Sequence, residues 1–189
     1  MGLAKDSKRA WEQGEVAFLA GGCFWGLEEL LRSLSGVLDV EVGYMGGNLA
    51  HATYDQVKTG DTGHAETVRV VFDPRVRSFA HLLCEFFRMH DPTTLHRQGN
   101  DRGSQYRSAI FFVDEKQERV ARKMISLMDE SRIWENPVVT EVSPAKDFWP
   151  AEPEHQDYLQ RYPDGYSCHY FRHFNFEFLL KRVSDEAEF

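Results

Sequence analysis

Between Val16 and Val113 the apolar residues switch repeatedly between strand and helix spacing, and that succession constrains the fold more than any other feature. Val16-Ala17-Phe18-Leu19-Ala20 reads as a short buried strand. From Cys23 to about Ser33, Leu27, Leu30, Leu31 and Leu34 recur at helical spacing, and Gly36 ends that helix. Val37 to Tyr44 alternates, with Leu38, Val40, Val42 and Tyr44 on one face. Glu66, Val68, Val70 and Phe72 alternate against Thr67, Arg69 and Val71. Ser78 can cap a helix that carries Phe79, Leu82, Leu83, Phe86 and Phe87 on one side. Tyr106 to Val113 is a further strand. The order β-α-β-β-α-β is the split-βαβ arrangement of a ferredoxin-like fold. We expect an α+β two-layer sandwich, with long loops at 45–63 and 90–104 and an irregular C-terminal extension.

The rest of the chain fits one domain. Asp114-Glu115-Lys116-Gln117 resembles a capping box and opens a helix to about Arg132, striped by Val120, Met124, Leu127 and Met128. Val138–Val142 predicts a fifth strand and Glu152–Arg161 a short helix. Phe174, Phe176 and Phe178 alternate like strand residues that add to the sheet or pack on the core. Residues 1–15 are polar and read as a flexible leader, 16–165 as the catalytic body and 166–189 as a tail. A net charge of −8 argues against a protein that tracks nucleic-acid phosphates. The leader has no apolar signal core, and no apolar run approaches the roughly 20 residues of a membrane helix. Three cysteines are too few for a disulfide framework and form no Cys-x-x-Cys pair. The eight histidines show no metal-binding spacing, so neither metal nor cofactor is expected. A reducing, cytoplasmic setting follows, where an activated cysteine is catalytic or redox-sensing.

Cys23 is the leading candidate. It lies in Gly21-Gly22-Cys23-Phe24-Trp25-Gly26, where a strand turns into a helix. Unpaired N–H groups and the helix dipole at that position favour a thiolate. Glu66 follows a loop and shares the apolar face of its strand, where burial raises a carboxyl pKa and keeps a general acid protonated. An outward-facing glutamate at a strand end is an equal reading from pattern alone. Tyr54, Asp101 and Tyr106 lie in the long loops; phenol hydroxyls suit a polar oxygen, but from pattern alone turn formation is the better reading of all three. Cys168, beside His169, can resolve a sulfenic acid or be incidental. Cys84 sits on a helix flank and reads as packing.

Gly22-Cys23-Phe24-Trp25-Gly26, Gly63-His64-Ala65-Glu66 and Arg97-Gln98-Gly99-Asn100-Asp101 through Gln105-Tyr106-Arg107-Ser108 resemble the class A peptide methionine sulfoxide reductases. Gly43-Tyr44-Met45-Gly46-Gly47 and His90-Asp91-Pro92-Thr93 fit as well, so ordered motifs run from about Val16 to Tyr166. The resemblance implies reduction of the S epimer of methionine sulfoxide, free or in proteins. It makes Cys23 the nucleophile, Glu66 the acid, Phe24 and Trp25 the methyl pocket, and Tyr54, Asp101 and Tyr106 the oxygen-binding group. Many members carry two tail cysteines; this chain has Cys168 alone, which leaves a Cys23–Cys168 disulfide and a thioredoxin-like dithiol to reduce it. Two other classes compete: a cysteine hydrolase or acyl transferase with a histidine base such as His64, and a redox-sensing peptide-binding domain whose aromatic tail meets a partner.

Overall fold

A computed structural model describes residues 14–184. Its strands are β1 (Glu15–Gly21), β2 (Val37–Met45), β3 (Ala65–Phe72), β4 (Arg97–Gln98), β5 (Asp101–Arg102), β6 (Ser108–Phe112), β7 (Glu141–Pro144) and β8 (Trp149–Pro150). Its helices are α1 (Phe24–Arg32), α2 (Tyr54–Val57), α3 (Phe79–Met89), α4 (Glu115–Ser131), α5 (Tyr158–Arg161) and α6 (Glu177–Ser184). One sheet has the order β7-β6-β1-β3-β2-β8, and β4 and β5 form a separate small hairpin. At its centre β6-β1-β3-β2 is antiparallel throughout, as the split-βαβ pattern requires, and β7 adds parallel to β6.

The α1, α3 and α4 helices cover one face of this sheet. Leu27 and Leu31, Phe86 and Phe87, and Met124 and Leu127 pack there against Val42, Val68, Val70, Phe72 and Ile110. Burying each such side chain contributes about 1.5–3 kcal/mol, so the helix layer is what holds the sheet. A smaller cluster of Ala20, Met45, Ala65, Ala109 and Phe111 lies apart from this core. Ser78 caps α3 by accepting the His81 N–H, and Asp114 caps α4 by accepting the Gln117 N–H. The Gln117 side chain does not close a capping box on Asp114. It accepts the Val113 N–H and donates to the Val16 carbonyl, tying α4 to β1.

Several local expectations need correction. Leu38 is 44% exposed, because a bulge between Val37 and Asp39 leaves it out of the pairing register. Tyr106 ends a 3-10 turn (Ser104–Tyr106), and the strand begins only at Ser108. Val138 and Val139 do not join the sheet, since their N–H groups go to Asp129 Oδ1 and the Pro92 carbonyl. The helix expected over 152–161 is confined to α5. No strand forms at 174–178: residues 166–176 lack regular structure and α6 begins at Glu177. Phe176 is buried and Phe174 packs edge-on to Trp134, while Phe178 is exposed. Glu15, assigned to the leader, already pairs with Phe72 in β1. The remainder of that leader, 1–13, lies outside the described residues.

Candidate active site

The β1 strand ends in a turn that only glycine fits. Gly22 has φ +108°, and a Cβ there would press into the Gln98 side chain. The turn sets Cys23 at the N-cap of α1, 7% exposed. The Trp25 N–H favours the thiolate, as expected of a helix N-terminus. Burial and the neighbouring Glu66 carboxyl outweigh it and push the Cys23 thiol well above its ordinary pKa. Cys23 therefore rests as a thiol, not as the thiolate anticipated from its position.

Glu66 pairs opposite Tyr44 and lies on the core face of β3, 1% exposed. Its Oε2 accepts the Phe24 N–H at 3.0 Å. That bond favours the carboxylate, but burial dominates and Asp101 adds to it, raising the pKa to about 8. At neutral pH Glu66 holds its proton. Tyr54 opens α2, and its N–H donates to Glu152 Oε1 at 2.8 Å. Burial, Glu66 and Cys23 raise its phenol to about 12. Burial first, then Glu66, pushes Tyr106 up as well. Both phenols are neutral and feel the same Glu66 carboxyl.

Asp101 reaches the site from the β4–β5 hairpin, where its Oδ2 accepts the Tyr166 O–H at 3.0 Å and faces Cys168 Sγ at 3.5 Å. Cys168 is a free, half-buried thiol. The Cys23 backbone N–H favours its anion, yet burial and Asp101 raise the Cys168 pKa to about 11. Cys23, Glu66, Tyr54, Asp101, Tyr106 and Cys168 thus converge from separate segments of the chain.

Phe24 and Trp25 diverge in setting. Phe24 is fully buried, 5.8 Å from the Tyr44 ring and 5.7 Å from the His155 ring. Trp25 is half-buried, stacked on Tyr158 at 3.8 Å and 12°, with its N–H donating to His155 Nδ1 at 3.2 Å. Tyr54 packs on the same imidazole at 4.3 Å. His155, Tyr158, Glu152 and Tyr166 are site neighbours that sequence reasoning missed. Glu152 binds both the Tyr44 O–H, at 2.9 Å, and the Tyr54 N–H. His169 was legible, since it stands next to Cys168, where a histidine favours the thiolate.

His64 does not serve Cys23 as a base. Its Nδ1 accepts the Gly47 N–H at 3.1 Å and its Nε2 donates to the Leu49 carbonyl at 2.8 Å, so both nitrogens hold a loop in place. Cys84 is 4% exposed, its sulfur 4.0 Å from Met124 Sδ, and burial pushes it to about 12, as packing requires. Among the described residues no group of three or more His, Cys, Asp or Glu is placed to hold a metal ion, and no helix is long and apolar enough to cross a membrane.

Residues 15–187 match the family model described as peptide methionine sulfoxide reductase. A peptide methionine sulfoxide reductase MsrA from Mycobacterium tuberculosis is 58% identical over 158 residues, 84% of this chain and 85% of that protein. The reduced form of Mxr1 from Saccharomyces cerevisiae superposes with a TM-score of 0.79 at 36% identity, covering 85% of this chain and 93% of that one. Mxr1 in complex with Trx2 matches with a TM-score of 0.56 at 27% identity, over 85% of this chain and 91% of that one.

Proposed function

Because the chain belongs to the peptide methionine sulfoxide reductase family and is an oxidoreductase that reduces methionine sulfoxide with thiols, we propose that it acts on the S epimer through a Cys23 sulfenic acid. The observation that carries this reading is the buried Glu66 carboxyl, kept protonated beside Cys23 and oriented by the Phe24 N–H. A sulfoxide sulfur is a poor electrophile until its oxygen is protonated. Glu66 supplies that proton while Tyr54 and Tyr106 donate hydrogen bonds to the same oxygen. Cys23 Sγ attacks the sulfur, and its own proton restores Glu66. In the adduct the hydroxyl passes from the substrate sulfur to Cys23 Sγ as the S–O bond and the new S–S bond break; methionine leaves, so one thiol and one sulfoxide become one sulfenic acid and one thioether. The aromatic group of Phe24, Trp25, Tyr54 and His155 supports a pocket for the methyl group.

Incubation with both epimers of a methionine sulfoxide peptide and dithiothreitol, followed by chromatography, tests this assignment. The S epimer is consumed and the R epimer persists. Equal consumption of both would remove the stereochemical claim.

Cys168 then attacks Cys23 to release water and form a disulfide, which a dithiol of the thioredoxin type reduces. The sulfur of Cys168 next to the Cys23 N–H supports this pairing, and the Mxr1–Trx2 complex supports the choice of reductant. Cys168→Ser is expected to yield about one methionine per enzyme and then stall with thioredoxin as reductant. Normal steady-state turnover would show that another group resolves Cys23. Three free thiols and the dithiol requirement support a reducing cytoplasm as the working compartment, with 16–165 as catalytic body and the tail from 166 carrying the resolving thiol.

A further inference from the structure

We propose that His169 is the proton acceptor and positioning group for Cys168 in the resolving step. The inference rests on Cys168 being the resolving thiol. His169 is 9% exposed, and its Nε2 lies 2.7 Å from the Gly21 carbonyl. A carbonyl only accepts, so Nε2 carries the ring proton and Nδ1 presents a lone pair. That lone pair faces Cys168 Sγ at 3.5 Å. The His169 backbone N–H donates to Ser167 Oγ at 3.1 Å, and Gly26 leaves the ring space, since a Cβ there would collide with the Ser167 hydroxyl and sit 2.7 Å from Nδ1. The same carbonyl belongs to the turn that carries Cys23, so one imidazole registers the tail against the nucleophile's own loop.

Burial keeps this ring neutral, lowering its pKa to about 4. A neutral acceptor matters because Cys168 is a poor nucleophile as a thiol and titrates only near 11. As the Cys168 S–H proton moves to Nδ1, the sulfur bonds to Cys23 Sγ and the Cys23 S–O bond breaks. The departing hydroxide takes up the displaced proton. The net change is one thiol and one sulfenic acid giving one disulfide and one water, with Cys168 oxidised and Cys23 reduced. Asp101 Oδ2 faces the same sulfur, but it already accepts the Tyr166 O–H. The other charged or titratable groups around the ring are Arg172 and His90. His90, buried and pushed down to about 3, stays neutral with its neighbour.

The test uses the full chain oxidised with one equivalent of a methionine sulfoxide peptide, then quenched with an alkylating reagent at intervals. Mass spectrometry gives the rate of Cys23–Cys168 disulfide formation, expressed relative to the methionine burst. Wild-type protein should show a resolving rate that is flat between about pH 5 and 7, above the His169 titration and below that of Glu66. His169→Gln keeps a donor for the Gly21 carbonyl but has no basic lone pair. Its resolving rate should fall by about 10²-fold and climb about tenfold per pH unit, following the thiolate fraction. A variant with the wild-type rate and flat profile overturns the proposal. Should the variant lose its burst, the wild-type profile decides alone, and a tenfold rise per unit across that window overturns it. If Cys168→Ser still resolves under thioredoxin, it is the assignment of Cys168 that fails, and the two failures are distinct.

Discussion

Cys23→Ser is expected to reduce methionine formation by about 10⁵-fold or more, to the uncatalysed background, with either dithiothreitol or thioredoxin as reductant. The reason is elementary. A serine hydroxyl cannot accept the sulfoxide oxygen as a sulfenic acid does, so the redox step has no product state. The substitution is also a clean one structurally. Position 23 is the N-cap of α1, with extended ψ of 124°, and serine is among the preferred residues there. The side chain is small and nearly buried either way, so thermal stability should change by no more than about 1 kcal/mol. Circular dichroism melting verifies the fold, and chromatographic assay of the peptide product verifies the loss. Turnover retained in a folded Cys23→Ser protein would sink the assignment of the nucleophile.

That cysteine also marks where the sequence was legible and where it was not. Its placement at a strand–helix turn follows from local pattern, because a glycine pair and two periodicities meet there. Glu66 was half-readable: period-two alternation puts it on the face of Val68, Val70 and Phe72, yet an outward-facing strand end fitted the pattern equally, and it is the covered sheet that keeps that face inside. The ionisation of Cys23 was not readable. It depends on enclosure, which residues 166–169, without regular structure of their own, help to provide by lying across the start of α1. The aromatic group around Trp25 was hidden likewise, since His155 and Tyr158 arrive from about 130 residues away and the pattern of 152–161 pointed only to a longer helix. Phe174, Phe176 and Phe178 misled because three alternating residues also suit an irregular segment leading into a helix. Phe174 packs edge-on to Trp134 and Phe176 is buried in the core, so side-chain packing and not a strand partner decides where those two go.

Glu66→Gln separates the chemistry of that site from its stability. Glutamine keeps the shape and can still accept the Phe24 N–H, but it has no proton to deliver. The single-turnover rate of methionine release should fall by about 10²–10⁴-fold. Wild-type activity should also decline as pH rises through about 8, where Glu66 loses its proton, and the variant should lack that decline. Stability moves the other way. The folded pKa of about 8 lies above the ordinary carboxylate value of 4.5, so between them the folded chain holds a proton that the unfolded chain has released. Stability therefore falls as pH rises through that window, by up to about 1.4 kcal/mol per unit, and levels off above it. Removing the titration flattens this slope, so Glu66→Gln should gain on wild type as the solution becomes alkaline. Urea unfolding at several pH values measures the difference. A variant that is slow and also loses stability equally at every pH would mark Glu66 as a packing residue. A variant that is slow while growing relatively more stable toward pH 8 is what a buried general acid requires, because the proton that makes it useful is the one the fold forces it to keep.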